Sequence, residues 1–185
     1  MDRYSFTPAW LAERDPAPVF FLRAASILDR DAFEAELEGR YRAGMVPGFL
    51  MLDAAIAGVR ALVDGDDAEA LIELIRAEYG GEKLPPEEQV KVKAATEILA
   101  AYWPDYAAGV EQEARRNAVL PTLAFLRWVD GWENLTGKDG EEIDYARSPR
   151  DGIADDLLRR IDPSTLRAAG LRAYAVQYGR TEAKN

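Results

Sequence analysis

The chain has 185 residues, 48% hydrophobic and 30% charged, with 23 Lys and Arg against 33 Asp and Glu for a formal net charge of −10. A chain of this size buries enough surface to fold without a staple. It contains neither cysteine nor histidine, which excludes disulfides, thiolate-bound metal, thiol catalysis and imidazole general-base chemistry. The acidic balance argues against a nucleic-acid partner, because the small basic clusters Arg115-Arg116 and Arg159-Arg160 have acidic neighbours and read as solvated helix faces. A basic protein partner suits the charge better. No apolar run of membrane-spanning length occurs, and Met1-Asp-Arg-Tyr4 leads into no apolar signal region, so the expectation is a cytoplasmic protein that does not enter a membrane.

In chain order, Arg3-Tyr-Ser-Phe6 and Val19-Phe-Phe-Leu-Arg23 read as two strands. The second is aromatic and β-branched, is preceded by Pro16 and Pro18, and needs a pairing partner for its backbone groups. Between them, Thr7-Pro8 reads as a cap and first turn of a short helix over Ala9 to Glu13. Asp29 is expected to cap a helix to about Arg42, with Ala32, Phe33 and Leu37 inward and Asp31, Glu34, Glu36 and Glu38 in water. Gly48 to Val63 is a strongly apolar helix whose wide stripe predicts burial on several sides. Asp64-Gly-Asp-Asp67 is a turn. Ala68 to Tyr79 follows as a helix with Leu71, Ile72, Leu74 and Ile75 inward, ended by Gly80-Gly81. Pro85-Pro86-Glu87-Glu88 opens the next helix, which runs to about Tyr102. From Asp105 a helical pattern continues to Leu135, with a kink or break expected near Leu120 because Pro121 lacks an N–H. Ser148-Pro149-Arg150-Asp151 resembles a capping box opening a helix to Ile161. Asp162-Pro163 caps the last helix, from Ser164 to about Tyr178. The expected fold is mainly α, a helical domain of about six to eight helices with a small N-terminal β-hairpin. The hairpin occupies 1–28, the helical domain 29–180 and a flexible tail 181–185, with one continuous domain preferred.

No catalytic, metal-binding or cofactor-binding residue is assigned. Asp64, Asp66 and Asp67 lack the alternating register of a calcium loop and fit a helix start, and Lys138-Asp-Gly-Glu-Glu142 fails the same test. Gly131 to Asp139 has one residue too many between its glycines for a phosphate loop, and Asp139 stands where a hydroxyl is needed. The carboxylate pairs Glu34/Glu38, Glu69/Glu73 and Asp151/Asp155 sit in surface-like patterns with basic neighbours. Ser5, Ser26, Ser148 and Ser164 have no histidine to activate them. Phe125, Trp128 and Trp132, at i, i+3 and i+7, would share one helix face. That face reads as a central core helix or as a ridge of aromatic anchors for a partner. The candidate partner-binding residues are therefore Phe20, Phe21, Phe125, Trp128 and Trp132. A lone hairpin is marginal, so its edge must pack on the helices or pair with another chain, which leaves a homo-oligomer open.

The layout Tyr4-Ser-Phe-Thr-Pro8, Pro18-Val-Phe-Phe-Leu-Arg23 and Asp29-Arg-Asp-Ala-Phe-Glu-Ala-Glu-Leu37 resembles that of the tail assembly chaperones of tailed bacteriophages and prophages. The resemblance covers about the first quarter of the chain and carries no catalytic or ligand motif. It implies a non-enzymatic helper in the host bacterial cytoplasm, absent from the finished virion. Such a helper binds the tape-measure protein and recruits tail-tube subunits, shielding their apolar surface until polymerisation displaces it. A structural tail-completion or connector protein shares this composition, and a carboxylate-dependent enzyme is the remaining alternative.

Overall fold

The computed structural model describes residues 3–148 and 152–178. The fold is mainly α, with seven α-helices among the described residues and a small antiparallel sheet built on the N-terminal strands. Two units emerge: Met1–Leu37 with Asn117–Asn185, and Glu38–Arg116. This division differs from the hairpin-plus-helical layout of 1–28 and 29–180. It falls inside two helices, α1 (Ile27–Tyr41) and α5 (Pro104–Trp128). The tail 181–185 lies outside the described residues.

In the first unit, β1 (Arg3–Phe6) pairs antiparallel with β2 (Val19–Arg23), from Arg3 opposite Arg23 to Phe6 opposite Phe20. Phe20 and Leu22 are buried and their neighbours half-buried, the alternation a one-sided sheet requires. The hairpin gains a third strand that the helical pattern does not announce. The helix expected to reach Leu135 ends at Trp128, and Val129–Glu133 forms β3, antiparallel to β2 with Phe20 opposite Trp132. The physical reason is the open edge of β2, whose backbone groups β3 satisfies. Gly131, a poor helix former, sits opposite Phe21, where a Cβ would lie 3.2 Å from the Arg3 guanidinium.

Local details also depart from expectation. Thr7 caps nothing: its hydroxyl donates to the Pro18 carbonyl (2.9 Å), and only a 3-10 turn, Ala9–Leu11, separates the strands. Helix α1 starts before Asp29, and Ser26 Oγ accepts from the Asp29 N–H at 3.1 Å, so serine is the cap and Asp29 is free for other work. Helix α5 runs unbroken through Pro121. Ser148 closes a two-residue strand, β4 (Arg147–Ser148), paired with β5 (Gly152–Ile153). The proposed capping box at Pro149, Arg150 and Asp151 falls outside the described residues, and the helix there, α6, is only Asp155–Arg160. The last helix, α7 (Pro163–Gln177), starts as expected, with the Asp162 carboxylate accepting from the Thr165 N–H (2.9 Å) and hydroxyl (3.1 Å).

The second unit consists of α2 (Gly48–Leu62), α3 (Asp66–Tyr79), α4 (Pro86–Tyr102) and the first half of α5. Its core joins Met51, Ala55 and Val59 of α2, Ile72 and Ile75 of α3, and Val92 and Leu99 of α4. Helix α2 buries one face only. Phe49, Leu50 and Leu62 are exposed, against the expectation of burial on several sides. Gly81, at φ +80°, turns the chain after α3, with the Glu82 N–H returning to the Ala77 carbonyl at 2.9 Å. The loop after α1 is tied down by α5 side chains: Gln112, Arg115 and Arg116 donate to the carbonyls of Gly44, Arg42 and Ala43.

Candidate functional site

Four of the five residues singled out from the sequence meet in the core of the first unit. Phe20, Phe125 and Trp128 are fully buried and Trp132 nearly so. Phe20 stacks edge-on against Phe125 (6.1 Å between centroids) and Trp132 (6.4 Å), and Phe33 lies 4.4 Å from Trp128. The open aromatic ridge is thereby corrected: the face is interior, and Trp132 is on β3, not on the helix of Phe125 and Trp128. Trp132 Nε1 donates to the Ile143 carbonyl at 2.7 Å, and its ring meets Tyr145 edge-on at 4.8 Å. Phe21 alone lies on the outer face, half-buried, with the Arg3 guanidinium 4.3 Å over its ring.

Around this core runs a polar network. Asp29 accepts from Trp128 Nε1 (2.9 Å) and Arg127 Nε (2.9 Å) and pairs with Arg23 (3.1 Å), while Arg127 also reaches Glu36 at 3.0 Å. Burial pushes the Asp29 carboxyl up, but the hydrogen bonds from Trp128 and Arg127 and the charges of Arg23 and Arg127 outweigh it and hold the group below the usual carboxylate range. Glu34 and Glu36, read from the sequence as solvated, are instead engaged: Glu34 accepts from Tyr174 and Tyr178. The partners named here belong to the same unit, which makes the network a fastening of α1 onto α5, β2 and the end of α7.

The accessible feature lies in the second unit. Leu71 and Leu74 of α3 face Ala94 and Ile98 of α4 across a groove of about 460 Å³, with Asp67 and Lys91 also in its walls. Helical spacing explains it. Ile72 and Ile75 take the core positions of α3, leaving Leu71 and Leu74 on the adjacent stripe, half-buried and not inward as expected. Ile98, a large apolar side chain, is 52% exposed. The walls are charged: residues 64–102 carry ten carboxylates and four cations. Glu73 pairs with Arg76 and Glu97 with Lys93, while Glu78 and Glu87 continue the two walls one helical turn beyond Leu74 and Lys91.

Other concavities are smaller or polar. One of about 310 Å³ between Trp10, Arg14, Pro18 and Asp162 is floored by the cap of α7, where Asp162 is held low by its bonds from Thr165. Among the described residues no three carboxylates converge as a metal-ligand set, and no helix is long and apolar enough to cross a membrane.

No protein-family model, curated protein or solved structure matches this chain. The groove escaped sequence reading because its two walls are separate stripes. Only the surplus of apolar positions on α3, more than one core face needs, hinted at it.

Proposed function

We propose that this protein is a non-enzymatic assembly chaperone that covers an apolar segment of a partner before that partner polymerises, in the manner of phage tail assembly chaperones. The observation that carries the reading is the open apolar groove between α3 and α4, set in an acidic segment of an acidic chain. An uncovered apolar groove rimmed by charge is the usual form of a docking surface for a protein segment. The resemblance of residues 4–37 to the chaperone layout points to tape-measure and tail-tube proteins as clients, and to action in the host cytoplasm. With Phe20, Phe125, Trp128 and Trp132 buried, the groove supports a docking role better than the aromatic cluster does.

The test is co-expression with the tape-measure and tail-tube proteins encoded beside the gene, followed by affinity capture. A stable complex with either, and absence of the protein from purified particles by mass spectrometry, is the expected outcome. No complex when all partners are soluble overturns the reading. Stoichiometric presence in particles makes the protein a tail component instead.

A further inference from the structure

We infer that the α3–α4 groove takes a basic amphipathic α-helix of about two to three turns, presenting apolar side chains at i, i+3 or i+4, and i+7 between flanking Lys or Arg. The inference rests on the proposed chaperone role and adds the chemistry of the segment recognised.

The length follows from the walls. Asp67 to Leu74 and Lys91 to Ile98 each span two helical turns, roughly 10 Å at 1.5 Å per residue, which matches three apolar anchors on a docked helix. The secondary structure follows from hydrogen bonding. Both walls are α-helical, so their backbone groups are satisfied internally and offer no ladder to an extended strand. A strand laid on Leu71, Leu74, Ala94 and Ile98 would lose water from its N–H and C=O groups without replacement. A helix brings its own bonds and packs its ridge into the groove.

The charge follows from the rim. The two-helix segment 64–102 has a net charge of −6, more than half of the chain's −10. Asp67 stands at one end of the groove, beside Asp64 and Asp66 in sequence, and Glu78 and Glu87 extend the walls at the other. Lys91 is the cation in the wall and would accept one acidic residue of the docked helix. A second copy of this chain is a poor occupant, because two such acidic hairpins would face each other.

The probe is a synthetic helical peptide of about 18 residues with Leu at the anchor positions and Lys on both flanks, titrated into the full chain and read by fluorescence anisotropy. A matched peptide has Glu for Lys. The Lys peptide is expected to bind at least about tenfold more tightly than the Glu peptide, and to weaken several-fold between about 50 and 300 mM salt. Ile98→Glu is the decisive variant. It adds a carboxylate to the surface, so mere charge attraction would strengthen with it, whereas docking in the groove is lost. Ile98 is half-exposed, and unchanged circular dichroism checks that the variant folds.

Equal affinity for both peptides, or stronger binding to the Ile98→Glu variant, overturns the inference. So does a solution dimer that dissociates on Ile98→Glu, which would assign the groove to a second copy. Failures of the two readings separate cleanly. Capture of a tail protein undiminished by Ile98→Glu keeps the chaperone role and removes the groove. Lys-peptide binding lost in Ile98→Glu, with no tail-protein complex, keeps the groove and removes the role.

Discussion

Asp29 and Trp128 lie 99 residues apart in sequence and meet through a 2.9 Å hydrogen bond from the indole Nε1 to the Asp29 carboxylate. The bond joins the first turn of α1 to the last residue of α5, at the point where the chain leaves the helix for β3. The same carboxylate holds Arg23, the end of β2, and Arg127. One acidic side chain therefore fixes the strand, both helices and the start of the third strand.

Replacing Asp29 by Asn should lower unfolding stability by about 1–3 kcal/mol, because in a largely buried setting Arg23 loses the counter-charge of Asp29 and Arg127 keeps only that of Glu36. The loss also has a signature in pH. The native carboxyl is held below the ordinary range, so on acidification the unfolded chain takes the proton first, near the usual Asp value of about 3.9. The stabilisation is complete above that value and disappears as pH falls through the lower native one. Denaturant titrations should show a constant wild-type advantage over Asp29→Asn from neutrality to about pH 5, narrowing below about pH 4. An advantage unchanged at pH 3 would contradict the role given to this group.

Two glycines make a second comparison. A Cβ on Gly170 of α7 would sit 1.9 Å from the carbonyl oxygen of Pro121 and 2.7 Å from its carbon, so backbone would have to move. A Cβ on Gly109 of α5 would sit 2.2 Å from Met51 Sδ, an atom near the end of a flexible side chain. Gly170→Ala should cost about 3 kcal/mol or more and reduce soluble yield, while Gly109→Ala should stay within about 1 kcal/mol of wild type. Thermal melts of the two variants decide it. Similar melting temperatures would mean that α7 can shift away from α5 at little cost.

Much of the helical frame was legible because it is written in local chemistry. Pro86 with Glu87 and Glu88, Gly80-Gly81, and Asp162-Pro163 mark ends that the structure places within a few residues. What failed to show was set by distant partners. Val129-Asp-Gly-Trp-Glu133 extends a helical pattern, yet it becomes a strand because the open edge of β2 offers backbone hydrogen bonds from more than 100 residues away. The aromatic spacing of Phe125, Trp128 and Trp132 was real, but with Trp132 on that strand it measured no common helix face. Asp29 looked like a cap because Ser26, the actual cap, stands only three residues earlier. The groove was hidden for a related reason: Leu71 and Ile98 each look ordinary in their own helices, and only the pairing of α3 with α4 places them together.

Gln177 near the end of α7 gives a third prediction. Its side chain is buried. Its Oε1 accepts from the Ala25 N–H at 2.7 Å, and its Nε2 donates to the Arg23 carbonyl at 3.0 Å and the Ala173 carbonyl at 2.8 Å. The amide thus satisfies the backbone just where β2 ends and the chain turns toward α1. Gln177→Leu keeps the volume but strands those backbone groups, at an expected cost of about 2–3 kcal/mol. Faster hydrogen exchange at Ala25 should accompany the loss. An Ala25 amide that stays protected in the variant would show that another acceptor replaces the side chain.

Trp132 and Trp103 supply the last comparison, since the two indoles differ in what their N–H groups meet. Trp132 Nε1 donates to the buried Ile143 carbonyl, whereas Trp103 Nε1 is buried without an acceptor among the described residues. Substitution by Phe shrinks both side chains, but only at Trp132 does it also remove a bond and orphan a carbonyl lone pair. Trp132→Phe should therefore cost about 1–2 kcal/mol more than Trp103→Phe, measured by equilibrium unfolding. At Trp103, loss of an unsatisfied donor offsets part of the lost packing, so its variant should stay closer to wild type. The reverse order would indicate that the Trp103 indole has an acceptor, such as a bound water, and that the Ile143 carbonyl finds a substitute donor when Trp132 is removed.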